Sequence, residues 1–370
     1  MLSAKKHLQF KHLQFPFSSL VRATNSFGVT TKIGEGATGE VFSGNLNAER
    51  VAVKRLKLGA NATPELRAEL ERRFEAEYAV LTQYNHVRLV RLIGHAVDEN
   101  PSSQHPFALV FELLEEGSLA DWLPGPDGSP APKAAEGRGP LSATDRIDIV
   151  LGTAAGLAFL HGLREPGEVE GSAAQPVLHR DVKSANIGLT RRGALAALYA
   201  KLLDYGLAKA IRGEGGGGAA VAKGSVSFTG GFVSGTVGYT APELVRGHYT
   251  VQSEVYSFGV VLLEVLLGRR VNADTATRAL EAEEDKGAGT LAKQADAVWS
   301  AAAVAALASL VLDCIKVRGS KRPQGMTVVM ARLKVHQTPS PLLYLSTQIL
   351  TATLQLVIFA GNPWPRCRTA

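Results

Sequence analysis

Eight consecutive residues constrain this chain more than any others: His179-Arg180-Asp181-Val182-Lys183-Ser184-Ala185-Asn186. They bring an acid, two basic side chains and an amide into one short segment. A fixed turn here could aim Asp181 at a hydroxyl, while Asn186 holds a cation from the other side. A carboxylate that orients a nucleophile and an oxygen ligand for Mg²⁺ are both needed for phosphoryl transfer. The fold must therefore supply phosphate contacts and a second metal ligand from elsewhere in the sequence.

Ile33-Gly34-Glu35-Gly36-Ala37-Thr38-Gly39-Glu40-Val41 is the first source. Glycines at this spacing let a β-turn press its amides onto phosphate oxygens, because no Cβ intervenes. Alone, the pattern also fits a dinucleotide-binding turn or an ordinary hairpin. Val41 and Phe42 continue as a strand, which favours the hairpin. Val51-Ala52-Val53-Lys54 is a second β-branched run ending in a lysine. The stretch 64–83 is rich in Glu and Arg at helical spacing, and offers Glu69, Glu71, Glu75 and Glu77 as carboxylates that could position that lysine. Leu202-Leu203-Asp204-Tyr205-Gly206 supplies another acid, and Gly235-Thr236-Val237-Gly238-Tyr239-Thr240-Ala241-Pro242-Glu243 follows a Gly- and Ser-rich stretch, 213–235.

Taken in order, these segments resemble the motifs of protein kinases: glycine loop, strand lysine, helix glutamate, H-R-D-x-x-x-x-N, D-F-G and A-P-E. The lead-in Phe17, Leu20, Ala23-Thr24-Asn25, Phe27 and the G-T-x-G-Y-x-A-P-E form are similar to receptor-like, Pelle and interleukin-1-receptor-associated Ser/Thr kinases. The resemblance spans 17–333. It implies an α+β, bilobal protein-kinase fold: a small β-rich N-lobe with one αC helix, about 17–111, and a larger, mainly helical C-lobe, about 112–335. Residues 1–16 are then a basic N-terminal tail, and 336–370 a C-terminal tail.

The resemblance also implies roles. ATP would bind between the lobes, against Ile33, Gly34, Glu35, Gly36, Ala37, Thr38, Gly39 and Val41 of the loop and Ala52 and Lys54 of the next strand. Phe111, Glu112 and Leu114 would form the gatekeeper and hinge. The order Phe74-x-x-Glu77, followed by Leu81, selects Glu77 as partner of Lys54. Asn186 and Asp204 would hold Mg²⁺. Asp181 would accept the hydroxyl proton, and Lys183 would neutralise charge on the transferred phosphoryl, as in Ser/Thr kinases. Arg180 before Asp181 implies activation-loop phosphorylation, with Ser225, Ser227, Thr229, Ser234 and Thr236 as candidates. Glu243 should form a buried ion pair with Arg322.

Three positions depart from the family pattern: Tyr205 for Phe, Glu254 for Asp, and Gly188 where the family has the leucine under adenine. They keep a second reading in view, a nucleotide-binding pseudokinase scaffold. The tyrosine hydroxyl needs a partner if buried. The extra methylene of Glu254 could loosen its brace on the catalytic loop, and Gly188 removes apolar contact with a base.

Composition narrows the remaining classes. The chain of 370 residues is 45% hydrophobic, enough for a large core, and its net charge of +6 comes from scattered Lys and Arg. No basic stripe interleaved with aromatics appears, so no nucleic-acid partner is expected. Cys314 and Cys367 form neither a disulfide framework nor a metal-ligand spacing, which fits a reducing compartment. The N-terminus has no signal-peptide core and Leu2 excludes N-myristoylation. His-Leu-Gln-Phe occurs twice there, at 7–10 and 12–15. The stretch 342–360 carries no charged residue. It reads either as a tail anchor or as a segment packed on the C-lobe or without fixed structure. The expectation is a cytoplasmic kinase, with membrane association through 342–360 as the alternative. Its partners would be protein substrates with Ser or Thr and an upstream receptor or adaptor.

Overall fold

Alternation along the strands builds the small lobe. In the computed structural model, β1 (Leu13–Gln14), β2 (Lys32–Gly36), β3 (Gly39–Leu46), β4 (Glu49–Leu56), β5 (Leu92–Val97) and β6 (Phe107–Glu112) form one sheet in the order β1-β5-β6-β4-β3-β2. Successive side chains on a strand point to opposite faces. Val51 and Val53 of β4, with Ala108 and Val110 of β6, therefore pack against Leu20 of helix α1 (Phe17–Ala23). Phe107 and Leu109 turn the other way, onto Phe74, Tyr78 and Leu81 of helix α2 (Pro64–Gln83). Both faces are covered, which is why β6 reads as a continuous apolar run. The structure describes residues 13–36, 39–59, 63–100, 102–163, 176–192, 197–205, 209–210, 225–227, 235–246, 248–275, 278 and 288–334.

The sheet begins upstream of Phe17. Leu13 and Gln14 pair in parallel with Gly94 and His95, and the Phe15 amide donates to the His95 carbonyl at 2.9 Å. Helix α2 starts where the sequence provides a stop and a cap: Pro64 occupies the first turn and the Thr63 hydroxyl accepts from the Leu66 amide.

The large lobe is organised by two helices, α5 (Ala143–Leu160) and α6 (Val251–Leu267). A capping box between Ser142 and Asp145 opens α5. Buried residues run almost all round α6, the signature of a helix inside a core. Between the hinge and α5 lie two short helices, α3 (Leu119–Trp122) and, within the Pro- and Gly-rich stretch 124–140, α4 (Pro132–Ala135). Pro132 begins the second of them, at a first-turn position where its missing N–H costs nothing. Two antiparallel strands, β7 (Ile187–Arg192) and β8 (Ala197–Leu202), follow the segment 179–186, with Gly188 opposite Lys201. Helices Ala301–Cys314 and Met326–Lys334 complete the lobe. The fold is the expected α+β arrangement of a β-sheet lobe and a helical lobe.

Candidate active site

Lys54 sits on β4 opposite Val41 of β3 and Leu109 of β6, so the sheet fixes its backbone on both sides. Its ammonium is buried and makes two ion pairs, 2.8 Å to Glu77 and 2.6 Å to Asp204. Burial alone would lower its pKa; the charges of Glu77 and Asp204 outweigh burial and raise it. Glu77 lies on the inner face of α2 with Phe74 and Leu81, while Glu71 and Glu75 are exposed and Glu69 pairs with Arg72 and Arg73. Burial would push the half-exposed Asp204 carboxyl up, but Lys54 and the more distant charges on His179 and Lys183 hold it below the usual range.

The glycine hairpin closes with Gly36 opposite Gly39. The two glycines differ in purpose. A Cβ on Gly39 would lie 2.3 Å from the Arg55 carbonyl oxygen, whereas one on Gly36 would meet nothing within 4 Å. The first is needed for strand packing; the second leaves room beside the hairpin tip. Ala37 and Thr38 lie outside the described residues. Ile33, Gly34, Glu35 and Val41 flank the tip, and Ala52 faces Phe111 across β4 and β6. Phe111 is half-buried at the end of β6. Glu112 pairs with the buried Lys201 of β8 and accepts from the Arg91 amide at 2.7 Å. That tie joins the hinge to the large lobe.

The catalytic segment folds around Asp181. Lys183 Nζ lies 2.6 Å from Oδ2, the Thr236 hydroxyl donates to Oδ1 at 2.7 Å, and the Asn186 amide nitrogen donates to Oδ2 at 3.0 Å and to the Asp181 carbonyl at 2.8 Å. Lys183 also donates to Thr236 at 2.8 Å. With its nitrogen so engaged, Asn186 presents its amide oxygen as the end able to ligate a cation. Asp204 supplies a carboxylate. Two hard oxygen donors suit Mg²⁺, whose other positions are normally filled by water and phosphate oxygens. Arg180 and Asp204 adopt left-handed φ values of 73° and 52°, strain that the surrounding contacts sustain.

Those contacts account for two of the three departures. Glu254 is buried and bifurcates its carboxylate: Oε1 accepts from the Arg180 amide at 2.5 Å and Oε2 meets His161 Nε2 at 2.6 Å. The extra methylene therefore does not release the catalytic loop. Tyr205 is also buried, and its hydroxyl donates to the Val90 carbonyl at 2.8 Å. Gly206 lies outside the described residues. The third departure, Gly188, has the Leu114 and Leu203 side chains packed over it.

Farther out, Arg322 reaches both oxygens of Glu243, at 2.6 and 2.9 Å. Arg322 is fully buried and Glu243 is only partly so. Burial raises the pKa of Glu243, but the Arg322 hydrogen bond and charge outweigh it and hold the carboxyl below its ordinary value. The Arg180 guanidinium lies over the Tyr249 ring, 4.8 Å from its centre. Among the hydroxyls read as candidate phosphorylation sites, Ser225 and Ser227 belong to a strand (Ser225–Ser227) paired with His248–Thr250. Thr229 and Ser234 lie outside the described residues. Thr236 is engaged with Asp181 and Lys183. Its position in the Gly235-Thr236-Val237-Gly238-Tyr239 run was the available signal, but nothing local tied it to Asp181, 55 residues away.

A sequence model of the family described as "Protein kinase domain" matches residues 27–333. The chain belongs to the protein kinase family. Among curated relatives, it is 35% identical over 256 residues to chitin elicitor receptor kinase 1 of Arabidopsis thaliana, covering 69% of this chain and 33% of that protein. It is 33% identical over 258 residues to the proline-rich receptor-like protein kinase PERK2 of the same plant, covering 69% of this chain and 29% of the relative. It is 32% identical over 344 residues to a third Arabidopsis protein, "Probable serine/threonine-protein kinase PBL28", covering 88% of this chain and 80% of the relative. This kinase thus spans about a third of the length of those receptor kinases and most of the length of PBL28. Among its described residues, no helix is long and apolar enough to cross a membrane. The stretch 342–360 lies outside them.

Proposed function

We propose that this kinase is an active Ser/Thr protein kinase that transfers the γ-phosphoryl group of ATP, with Mg²⁺, to hydroxyls on protein substrates. The kinase domain runs over 17–335, extended upstream by the strand Leu13–Gln14, with 336–370 as a separate tail. Support comes above all from the carboxylate of Asp181, which already accepts a hydrogen bond from a side-chain hydroxyl, Thr236, at 2.7 Å, with a lysine cation 2.6 Å away. A substrate hydroxyl presented at the same carboxylate would be oriented for attack and would have its proton acceptor in place.

In this reading Lys54, held by Glu77, sits against the α- and β-phosphates. Asn186 and Asp204 would hold Mg²⁺, which would supply charge neutralisation on the phosphates. The substrate oxygen bonds to the γ-phosphorus as the bond to the β-bridging oxygen breaks. The hydroxyl proton passes to Asp181, and Lys183 balances charge on the transferred group. ADP and a phosphoprotein leave.

The relatives with receptor-like names support a place in signalling downstream of a receptor or adaptor, on the cytoplasmic side of a membrane. Phosphorylation within 213–240 would regulate the site. The test is transfer from labelled ATP with Mg²⁺ to peptide mixtures carrying only Ser and Thr, or only Tyr. Labelling of the first set, abolished by Lys54→Met, is the expected result. Nucleotide binding without transfer to either set would instead support the scaffold reading.

A further inference from the structure

Lys-His-Leu-Gln-Phe occurs twice without a gap, at 6–10 and 11–15. The second copy ends on the small-lobe sheet. Leu13 and Gln14 pair in parallel with Gly94 and His95 of β5, and the Phe15 amide donates to the His95 carbonyl at 2.9 Å. Strand β1 is the last in the sheet order, so β5 would be the edge without it. The edge of a sheet offers backbone donors and acceptors to any extended segment.

The β5 edge asks for little more than that, apart from one side chain. Leu13 and Gln14 are exposed and contribute mainly backbone. Phe15 is half-buried and packs on the cluster of Leu20, Val51, Val53 and Val110. Gly94 makes room for both features. A Cβ there would lie 2.1 Å from the Leu13 carbonyl oxygen and 2.6 Å from Phe15 Cε2. The site therefore selects an extended, proline-free backbone that ends in phenylalanine. Residues 6–10 meet that description letter for letter.

We propose that the β5 edge is a docking site with two occupants on the same chain: residues 13–15 in one register and residues 8–10 in the other, with Phe10 in the place of Phe15. Helix α1 stays where it is in both. The five residues 11–15 then become the connection from Phe10 to Pro16, a length common among loops. Because the two copies are identical, the registers differ mainly by the closure of that loop, a cost that grows slowly with length. A tethered copy also outcompetes one on a second molecule, since a short tether holds it at an effective concentration on the order of millimolar. The inference is independent of the phosphoryl-transfer reading.

The test is amide hydrogen exchange of the full chain, read at positions 10 and 15, with melting temperature and size-exclusion chromatography alongside. In the wild type the amide at 15 should be the better protected. In Phe15→Ala the protection should pass to the amide at 10. The melting temperature of that variant should fall by less than half the loss seen when Phe10→Ala is added, and the double variant should lose about 3 °C or more. Phe10→Ala alone should leave the melting temperature unchanged. Such a pattern is non-additive because either phenylalanine can fill one place. Phe15→Ala melting as low as the double variant, with the amide at 10 unprotected, would overturn the proposal, because only one copy would dock. A double variant as stable as the wild type would overturn it too, because phenylalanine would anchor nothing. Protection at 10 in a Phe15→Ala protein that elutes at twice the wild-type mass would place the first copy on a second molecule and overturn exchange within one chain.

Discussion

The Tyr205 hydroxyl donates to the carbonyl oxygen of Val90 at 2.8 Å, although the two residues are 115 apart in sequence. The bond ties the residue after Asp204 to the loop between α2 and β5. It also satisfies a phenol that is otherwise sealed in the core, where burial raises its pKa. Tyr205→Phe should keep the ring volume and fold, yet leave the Val90 carbonyl without this donor. A loss of about 1–2 kcal/mol in unfolding free energy is expected. Urea titration of both proteins measures it, and coincident curves would mean that the bond contributes nothing.

Glu254 links His161 and the Arg180 amide through one buried carboxylate. Glu254→Ala should cost about 2–4 kcal/mol, because a backbone donor and a buried imidazole both lose their acceptor. Glu254→Asp, shorter by one methylene, should fall between that variant and the wild type. Should the alanine variant unfold at the same urea concentration as wild type, Glu254 is no brace.

Burial pushes the Glu264 carboxyl up to about 7, against hydrogen bonds from Tyr239, Ser184 and the Val271 amide. A carboxyl whose folded pKa is raised stays protonated in the native state after the unfolded chain has released its proton. Between the model-compound value of 4.5 and about 7 the native state binds more protons, so this group's contribution falls as pH rises. The fall is about 3 kcal/mol over the window. The stability advantage of wild type over Glu264→Gln should therefore shrink from pH 4.5 to 7 and level off above. Parallel curves across that range would contradict the buried-acid assignment.

The glycine hairpin makes a contrast that stability and binding can separate. Gly39→Ala should lose about 1–3 kcal/mol through collision with the Arg55 carbonyl. Gly36→Ala should leave the melting temperature nearly unchanged, and any effect should appear in nucleotide affinity. Equal melting temperatures for the two variants would show that the close approach at Gly39 is not constraining.

The bilobal fold and the Lys54, Glu77, Asp181, Asn186 and Asp204 cluster were legible because each residue lies in a short segment whose local order carries its chemistry. Glu77 could be chosen over three neighbouring acids as the partner of Lys54 because the order Phe74-x-x-Glu77 followed by Leu81 resembles that of the family's αC helix, and the structure places it on the buried face with Phe74 and Leu81. What escaped were contacts made only by long-range packing. Thr236 on Asp181, Lys201 on Glu112 and Leu203 over Gly188 have no signature in spacing. Whether the extra methylene of Glu254 loosens its brace is not legible in the sequence, which shows the added methylene but not the second partner, His161, that the carboxylate also meets. The pairing of Leu13 and Gln14 with β5 escaped for a related reason: two residues are too few to show a strand's alternation.

The most direct test is incorporation of labelled phosphate from ATP with Mg²⁺ into the purified chain, beside an Asp181→Ala control and with mass spectrometry of 213–240. Incorporation by wild type and none by the control is the result expected of a phosphotransferase built on Asp181. Equal labelling of both proteins, or none in a folded wild type that is equally inert toward a generic Ser/Thr substrate, would contradict it.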